Sequence, residues 1–274
     1  MSAQKSVLVC GIDETASAVA RRLFGEGYGV TLFRASAPRL LRRRMTFADA
    51  WFDGYALLDG VEARRADVSS EFLLGLRTRE FIPLLRCRFS DVFERWPWDV
   101  IVAAKEDDEP GPSSLRSLAE LTIGLGQGFS AGVDCDLAIE TEGADPGAIL
   151  RAGERARPVR AEAGGGASGY ARLAAPSQGL FHPHAPIGAV IEEGEVLGLL
   201  EEAPVLAPVG GRISGMARRG EAVKEGALIA EIALSRGARV AGVTERNKLI
   251  SRGVAFAVEM DALGHAPFSL ESWL

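Results

Sequence analysis

Residues 175–200, APSQGLFHPHAPIGAVIEEGEVLGLL, and residues 207–232, APVGGRISGMARRGEAVKEGALIAEI, are two versions of one pattern. At a constant offset of 32 and without a gap, Ala175-Pro176, Gly179, Gly188 and Glu193-Gly194 recur as Ala207-Pro208, Gly211, Gly220 and Glu225-Gly226. The identities fall on turn residues, where backbone conformation restricts choice most. Apolar positions follow the same offset: Ile191 matches Val223, Leu197 matches Ile229 and Leu200 matches Ile232. A unit this short cannot bury a core alone, whereas two copies interleaved as facing sheets can. The repeat therefore predicts a small duplicated all-β domain over 170–235.

Such a duplicated β unit resembles the biotinyl and lipoyl carrier domains, a barrel-sandwich. A carrier needs a lysine at the tip of the hairpin between its copies. That hairpin, Glu201-Glu202-Ala203-Pro204-Val205, has none, and Lys224 lies in a different turn of the second copy. Residue type thus excludes amide attachment of biotin or lipoate, while noncovalent docking stays open.

Working toward the N-terminus, Ala161–Gly169 (AEAGGGASG) has the composition of a flexible linker. Lys105–Ser114 (KEDDEPGPSS), acidic and proline-rich, is expected to be a surface loop. Before these, strand and helix signals alternate. Ser6–Cys10 is a short apolar run ending at Gly11. Thr15 is the expected cap of a helix carrying Val19, Ala20, Leu23 and Phe24 on one face, and Val30–Phe33 is the next strand. This β–α–β opening predicts a parallel sheet in a Rossmann-like α/β domain over 1–163. Tyr55–Leu58 and Val61–Arg64 form a predicted hairpin at Asp59-Gly60. Further strands are expected at Phe81–Leu85, Val100–Ala104, Leu121–Leu125 and Leu137–Thr141. The tail, 236–274, is read as a C-terminal extension with a strand at Val240–Val243 and an apolar stretch, Val254–Leu263, of undetermined type.

Composition narrows the function. Hydrophobic residues at 47% and charged residues at 25% describe a globular chain, and no apolar run approaches bilayer-spanning length. A secretory signal is not expected, and the three cysteines, Cys10, Cys87 and Cys135, fit neither a disulfide framework nor a zinc site. A reduced, cytoplasmic protein without a membrane role is the expectation. The net charge of −6 argues against a nucleic-acid binder. All but four of the 31 basic residues are Arg, so the run Arg39–Arg44 (RLLRRR) is open to two readings: an anion site, or an exposed helical face.

Two glycine turns are candidate ligand sites. In Cys10–Ala18 (CGIDETASA), Gly11 holds the first place of a dinucleotide turn, but Asp13 stands where a second glycine would admit a phosphate, and Ala18 near the third. Arg34, at the end of the second strand, replaces the usual ribose-binding acid and is open to two readings: a partner for a 2′-phosphate, or a solvated side chain. The second turn, Ile123–Asp134 (IGLGQGFSAGVD), alternates glycines so that successive N–H groups of Gly126 and Gly128 can form an anion nest, with Ser130 and Asp134 adding polar contacts. A tight chain reversal between core strands demands the same glycines. His182 and His184 flank Pro183 with no third ligand nearby, and His265 is remote, so no metal is expected. No nucleophile–base arrangement is evident.

Taken together, Ile123–Glu142 (IGLGQGFSAGVDCDLAIETE) and Leu40–Gly54 (LLRRRMTFADAWFDG) resemble blocks of the accessory family of the selenium-dependent molybdenum hydroxylase system, a family related to the xanthine dehydrogenase accessory proteins. The resemblance runs nearly the whole length. It implies a role in maturing or supplying a molybdenum hydroxylase, which with its cofactor-supply proteins would be the partner. It also implies that Gly11, Gly126, Gly128, Ser130 and Asp134 lie at a ligand surface for NAD(P) or a molybdopterin-type nucleotide. An NAD(P)-dependent oxidoreductase and a noncovalent scaffold are the alternatives, and self-association stays open.

Overall fold

The computed structural model describes residues 5–104, 114–157 and 169–263. Apart from Ser114 and Gly169, the expected loop at Lys105–Ser114 and linker at Ala161–Gly169 lie outside the described residues, as does His265. Strands β1 (Ser6–Cys10), β2 (Gly29–Phe33), β3 (Tyr55–Leu58), β4 (Val61–Arg65), β5 (Ile82–Leu85), β6 (Val100–Ala104), β7 (Leu121–Leu125), β8 (Leu137–Ile139) and β9 (Ile149–Leu150) make one nine-stranded mixed sheet. Its order is β3-β4-β5-β2-β1-β6-β7-β8-β9. The strands from β4 to β8 are parallel, and β3 and β9 pair antiparallel at the two edges. At the β3–β4 turn Asp59 and Gly60 take φ of 43° and 84°, the handedness that a two-residue hairpin needs.

The central strands are apolar throughout because both faces are covered. On β1, Val7 and Val9 join a core beneath α1 (Glu14–Gly25), while Leu8 points into a second core with Phe72 of α3 (Ser69–Thr78) and Val92 of α4 (Phe89–Arg95). This is the strand's period of two converted into two separate layers. The first core also takes Ile250, Val254, Ala257 and Val258 of α5 (Glu245–Ala262), which packs against α1. The stretch Val254–Leu263 is therefore helical through Ala262, and its helix begins well before the apolar run, at a Thr244 cap whose side chain accepts from Asn247 N at 3.1 Å. Among the described residues no helix is long and apolar enough to cross a membrane.

Residues 170–233 form two antiparallel four-stranded sheets. They are built from β10 (Tyr170–Ala174), β11 (Gly179–Pro183), β12 (Val190–Ile191), β13 (Val196–Leu200), β14 (Ala203–Leu206), β15 (Gly211–Met216), β16 (Glu221–Val223) and β17 (Leu228–Ala233). The orders are β10-β17-β15-β12 and β14-β13-β11-β16. Exchanging each strand for its counterpart in the other copy turns one order into the other. Each sheet thus holds two central strands from one copy, flanked by strands of the other. Phe181, Leu197, Ile213, Ile229 and Ile232 fill the space between. Both central hairpins bury their apolar residues only against the other copy, so neither half would hold its shape alone.

Three sequence expectations are corrected. The cap of α1 is Asp13, not Thr15: its carboxylate accepts from Ala16 N at 2.7 Å, and Asp13 rather than Thr15 has the extended backbone of a cap. Val240–Val243 is not a strand. It is the crossing between the two units, with Val240 in the β core and Val243 in the sheet core, and its donors go sideways, Gly242 N to Arg44 O at 3.0 Å and Val243 N to Asp59 Oδ2 at 3.0 Å. Finally, Arg39–Arg44 is not an exposed helical face, because only a single 3-10 turn forms, at Arg43–Met45. The segment is a strap that binds the β unit. Leu41 O accepts from Met216 N at 3.0 Å, Arg44 Nη1 donates to Ile187 O at 3.0 Å, and Arg42 Nε meets Glu231 Oε1 at 2.5 Å. Gly215 permits this approach, since a Cβ there would lie 2.7 Å from Leu41 Cβ and 2.9 Å from Leu41 C. Arg218 closes the junction with ion pairs to Asp49 and Asp53 of α2 (Asp49–Asp53).

Candidate functional site

The sheet order has a reversal at β1. From β1 the chain passes through α1 to β2 on one side, while β6 lies on the other, so the connections leaving β1 and β6 diverge and open a crevice at the carboxyl ends of the strands. A cleft of about 520 Å³ occupies that place. Asp13, Glu14 and Thr15 border it from the start of α1, and Ala104, Leu125, Gly126 and Gln127 from the ends of β6 and β7. Thr141 and Glu142 follow β8, while Leu40 and Arg42 come from the strap. Thr244, Arg246 and Asn247 at the head of α5 complete the wall. Two helix N-termini, each with partial positive charge and each capped by its own side chain, Asp13 or Thr244, therefore meet at one hollow. Thr15 Oγ1 donates to Asn247 Oδ1 at 3.4 Å and ties them together.

The electrostatics favour a donor-rich ligand over a polyanion. Burial pushes the Asp13 carboxyl up, against hydrogen bonds from Ala16 and Thr15 N–H and the charge of Arg34, which pull it down without prevailing. Burial likewise raises Glu14, and although Arg42 opposes this, Asp13 and Glu231 add to it. Asp13 already occupies the N–H group that a pyrophosphate would need. Glu14, with 28% of its side chain exposed, has Arg42 only at 3.7 Å. The two cations are engaged elsewhere: Arg42 with Glu231, and Arg246 with Glu142 and the Thr141 carbonyl. Burial alone would raise Glu231, but hydrogen bonds from Arg42, Ser214 and Arg172 and the charge of Arg42 outweigh it and hold this carboxyl below its ordinary value. Arg42 thus spans from the β unit's buried carboxylate to the edge of the cleft.

The residues singled out in the sequence are distributed as follows. Gly126 lines the cleft. Its φ of +69° and the 2.2 Å that a Cβ would leave to Thr141 Oγ1 both require glycine. Gly11, with φ of 121°, turns the chain out of β1 and donates its N–H to Phe33 O at 3.0 Å. Arg34 is 1% exposed, its Nε bonded to Ser36 O at 3.1 Å, so its charge acts on Asp13 from the interior. Gly128, Ser130 and Asp134 belong to the loop after β7 but are not among the cleft-lining residues. There Asp134 Oδ2 accepts from Ser130 N at 2.9 Å and Asp134 N donates to Ser130 O at 3.0 Å, a pair that closes the turn on itself. His182 lies on β11 opposite Leu199. No group of three or more His, Cys, Asp and Glu is arranged to hold a metal among the described residues.

Sequence reasoning missed Thr141, Glu142, Thr244, Arg246 and Asn247 as lining residues and placed Arg42 only within the run Arg39–Arg44. The one available signal was Thr244, a cap-type residue directly after the expected strand Val240–Val243. The rest arrive through tertiary packing alone.

No family model matches the chain. The protein is similar to "Uncharacterized protein YqeB" of Escherichia coli (strain K12), at 31% identity over 268 residues, which is 94% of this chain and 48% of that protein. The chain thus spans about half the length of the curated relative it matches.

Proposed function

We propose that this is a ligand-binding accessory protein of a molybdenum hydroxylase system, with a Rossmann-like unit whose switch-point cleft receives a pterin-type compound and a lipoyl-like β unit that serves as a fixed docking module. The observation that carries the reading is the chemistry of the cleft: a raised, weakly paired Glu14 carboxylate beside two helix N-termini, with no Ser, Cys, His or Lys among the lining residues. A pterin's amino group and adjacent ring N–H present two parallel donors, which suit the two oxygens of one carboxylate. Its flat ring suits the apolar edges of Leu40, Ala104 and Leu125, and a phosphate tail suits the head of α5. The volume is in the range of small-ligand sites. Asp13 and Glu14 argue against a dinucleotide, whose pyrophosphate would meet both carboxylates. The resemblance to the accessory family supports the biological setting, with NAD(P) chemistry as the alternative.

Calorimetric titration of the purified chain with a pterin monophosphate, NAD and NADP tests this. The expected result is saturable binding of the pterin, lost in Glu14→Gln, with the nucleotides silent. Saturable NADP binding with a silent pterin would transfer the protein to the oxidoreductase class. Co-purification with a molybdenum enzyme or a cofactor-synthesis protein is the test of the setting, and its failure would remove the accessory role.

A further inference from the structure

A second, smaller hollow of about 250 Å³ lies in the groove between α1 and α5. Its walls carry Arg21 and Arg22 from α1 and Lys248, Ser251 and Arg252 from α5. In a chain of net charge −6, four cations from two helices are gathered in one groove. Lys248 and Arg252 stand at i and i+4, a like-charge spacing that by itself disfavours the helix. Two acids answer part of this charge: Glu26 pairs with Arg22 at 2.5 Å and Glu245 with Lys248 at 2.7 Å. Arg21 meets no carboxylate among the described residues. One of its terminal nitrogens donates to the Asp59 carbonyl at 3.1 Å, and its Nε is buried without a hydrogen-bond partner. Arg252 makes no ion pair or hydrogen bond among the described residues. Arg21 and the exposed Arg252 therefore bring positive charge to one concave surface with no carboxylate paired to either among the described residues.

We propose that this groove is an anion site that takes a dianionic phosphate group, as inorganic phosphate or a phosphate monoester. The exposed Arg252 guanidinium supplies a planar donor pair for phosphate oxygens, while Lys248 and Arg21 add positive charge. Because the first turns of α5 also line the switch-point cleft, an anion held between α1 and α5 fixes one wall of that cleft.

The test is thermal unfolding of the full chain against inorganic phosphate and against glycerol 3-phosphate, with sodium chloride at matched ionic strength as the control. The expected result is a Tm that rises by several degrees with either phosphate and not with chloride, and the tighter of the two identifies the natural form. In Lys248→Gln/Arg252→Gln the midpoint of that response moves at least tenfold higher, while the anion-free Tm changes little, because the lost i,i+4 repulsion and the lost Glu245–Lys248 pair are of similar size. Arg252→Gln alone, at an exposed position, gives the same direction with a smaller shift. An unaltered chain that responds to phosphate no more than to chloride would overturn the assignment. So would a double variant that keeps the original midpoint.

Discussion

Replacing Glu231 with Gln should weaken the seam between the two units by an amount that can be worked out. Glu231 is 5% exposed; its Oε1 accepts from Arg42 Nε at 2.5 Å and from Ser214 Oγ at 2.8 Å. A hydrogen bond to a charged group contributes about 1.5–3 kcal/mol; both of these end on the same oxygen, so a Gln oxygen can keep both, but only as neutral bonds of roughly half that strength. The third partner, Arg172 at 3.3 Å, has a side chain 56% exposed and adds ~1 kcal/mol or less. The net expectation is a loss of about 2 kcal/mol, or roughly 4–8 °C in Tm for a chain of this size. Differential scanning calorimetry at pH 7.5 reads it, and a double-mutant cycle with Arg42→Gln should return a coupling of about 1.5 kcal/mol. The pH dependence supplies an independent check. Since the folded-state carboxyl is depressed below its ordinary 4.5, its contribution is complete above that value and disappears as the pH falls through the folded value. The gap between the two proteins should therefore close below pH 4.5. Equal Tm values at pH 7.5, or a coupling under about 0.5 kcal/mol, would refute the reasoning.

Other outcomes follow from the same geometry. Asp13→Asn keeps a cap oxygen but removes a charge whose folded-state pKa is raised by burial; stability of the native protein falls as pH rises through such a group, so the variant should melt higher at pH 7.5 and no higher in acid, as thermal scans across pH would show. Gly126→Ala should cost about 2 kcal/mol in urea unfolding, from a positive φ and the clash with Thr141 Oγ1, and adding Thr141→Ala should recover the steric part. The Cys135 thiol, fully buried and pushed up to about 11 by burial, should resist iodoacetamide at pH 8 until the protein unfolds, which peptide mass mapping would establish.

What could be read from the chain alone divides along physical lines. The β1–α1–β2 opening and the duplicated unit were legible because each is written locally, in apolar runs and in glycines that turns require. The interleaving of the copies follows from their inability to bury Phe181 or Ile213 separately. Arg39–Arg44 was misleading because its partners, Glu231, Met216 and Ile187, lie far along the chain and nothing local marks them. The same limit hid the cleft. Asp13 and Gly126 sit in visible turns, but Glu142 reaches the site from the end of β8, and Arg246 and Asn247 only because α5 returns from the β unit to pack on α1. Ser130 and Asp134 stood out for their spacing after the glycines. That spacing is equally the signature of a turn that bonds to itself, and those bonds are what the structure contains.

The most direct measurement is calorimetric titration of the purified chain with a pterin monophosphate, beside Glu14→Gln. Saturable binding by the unaltered chain, weakened at least tenfold by the substitution, is the predicted result. A flat titration for the pterin, or binding that Glu14→Gln leaves unchanged, would contradict the assignment of the cleft.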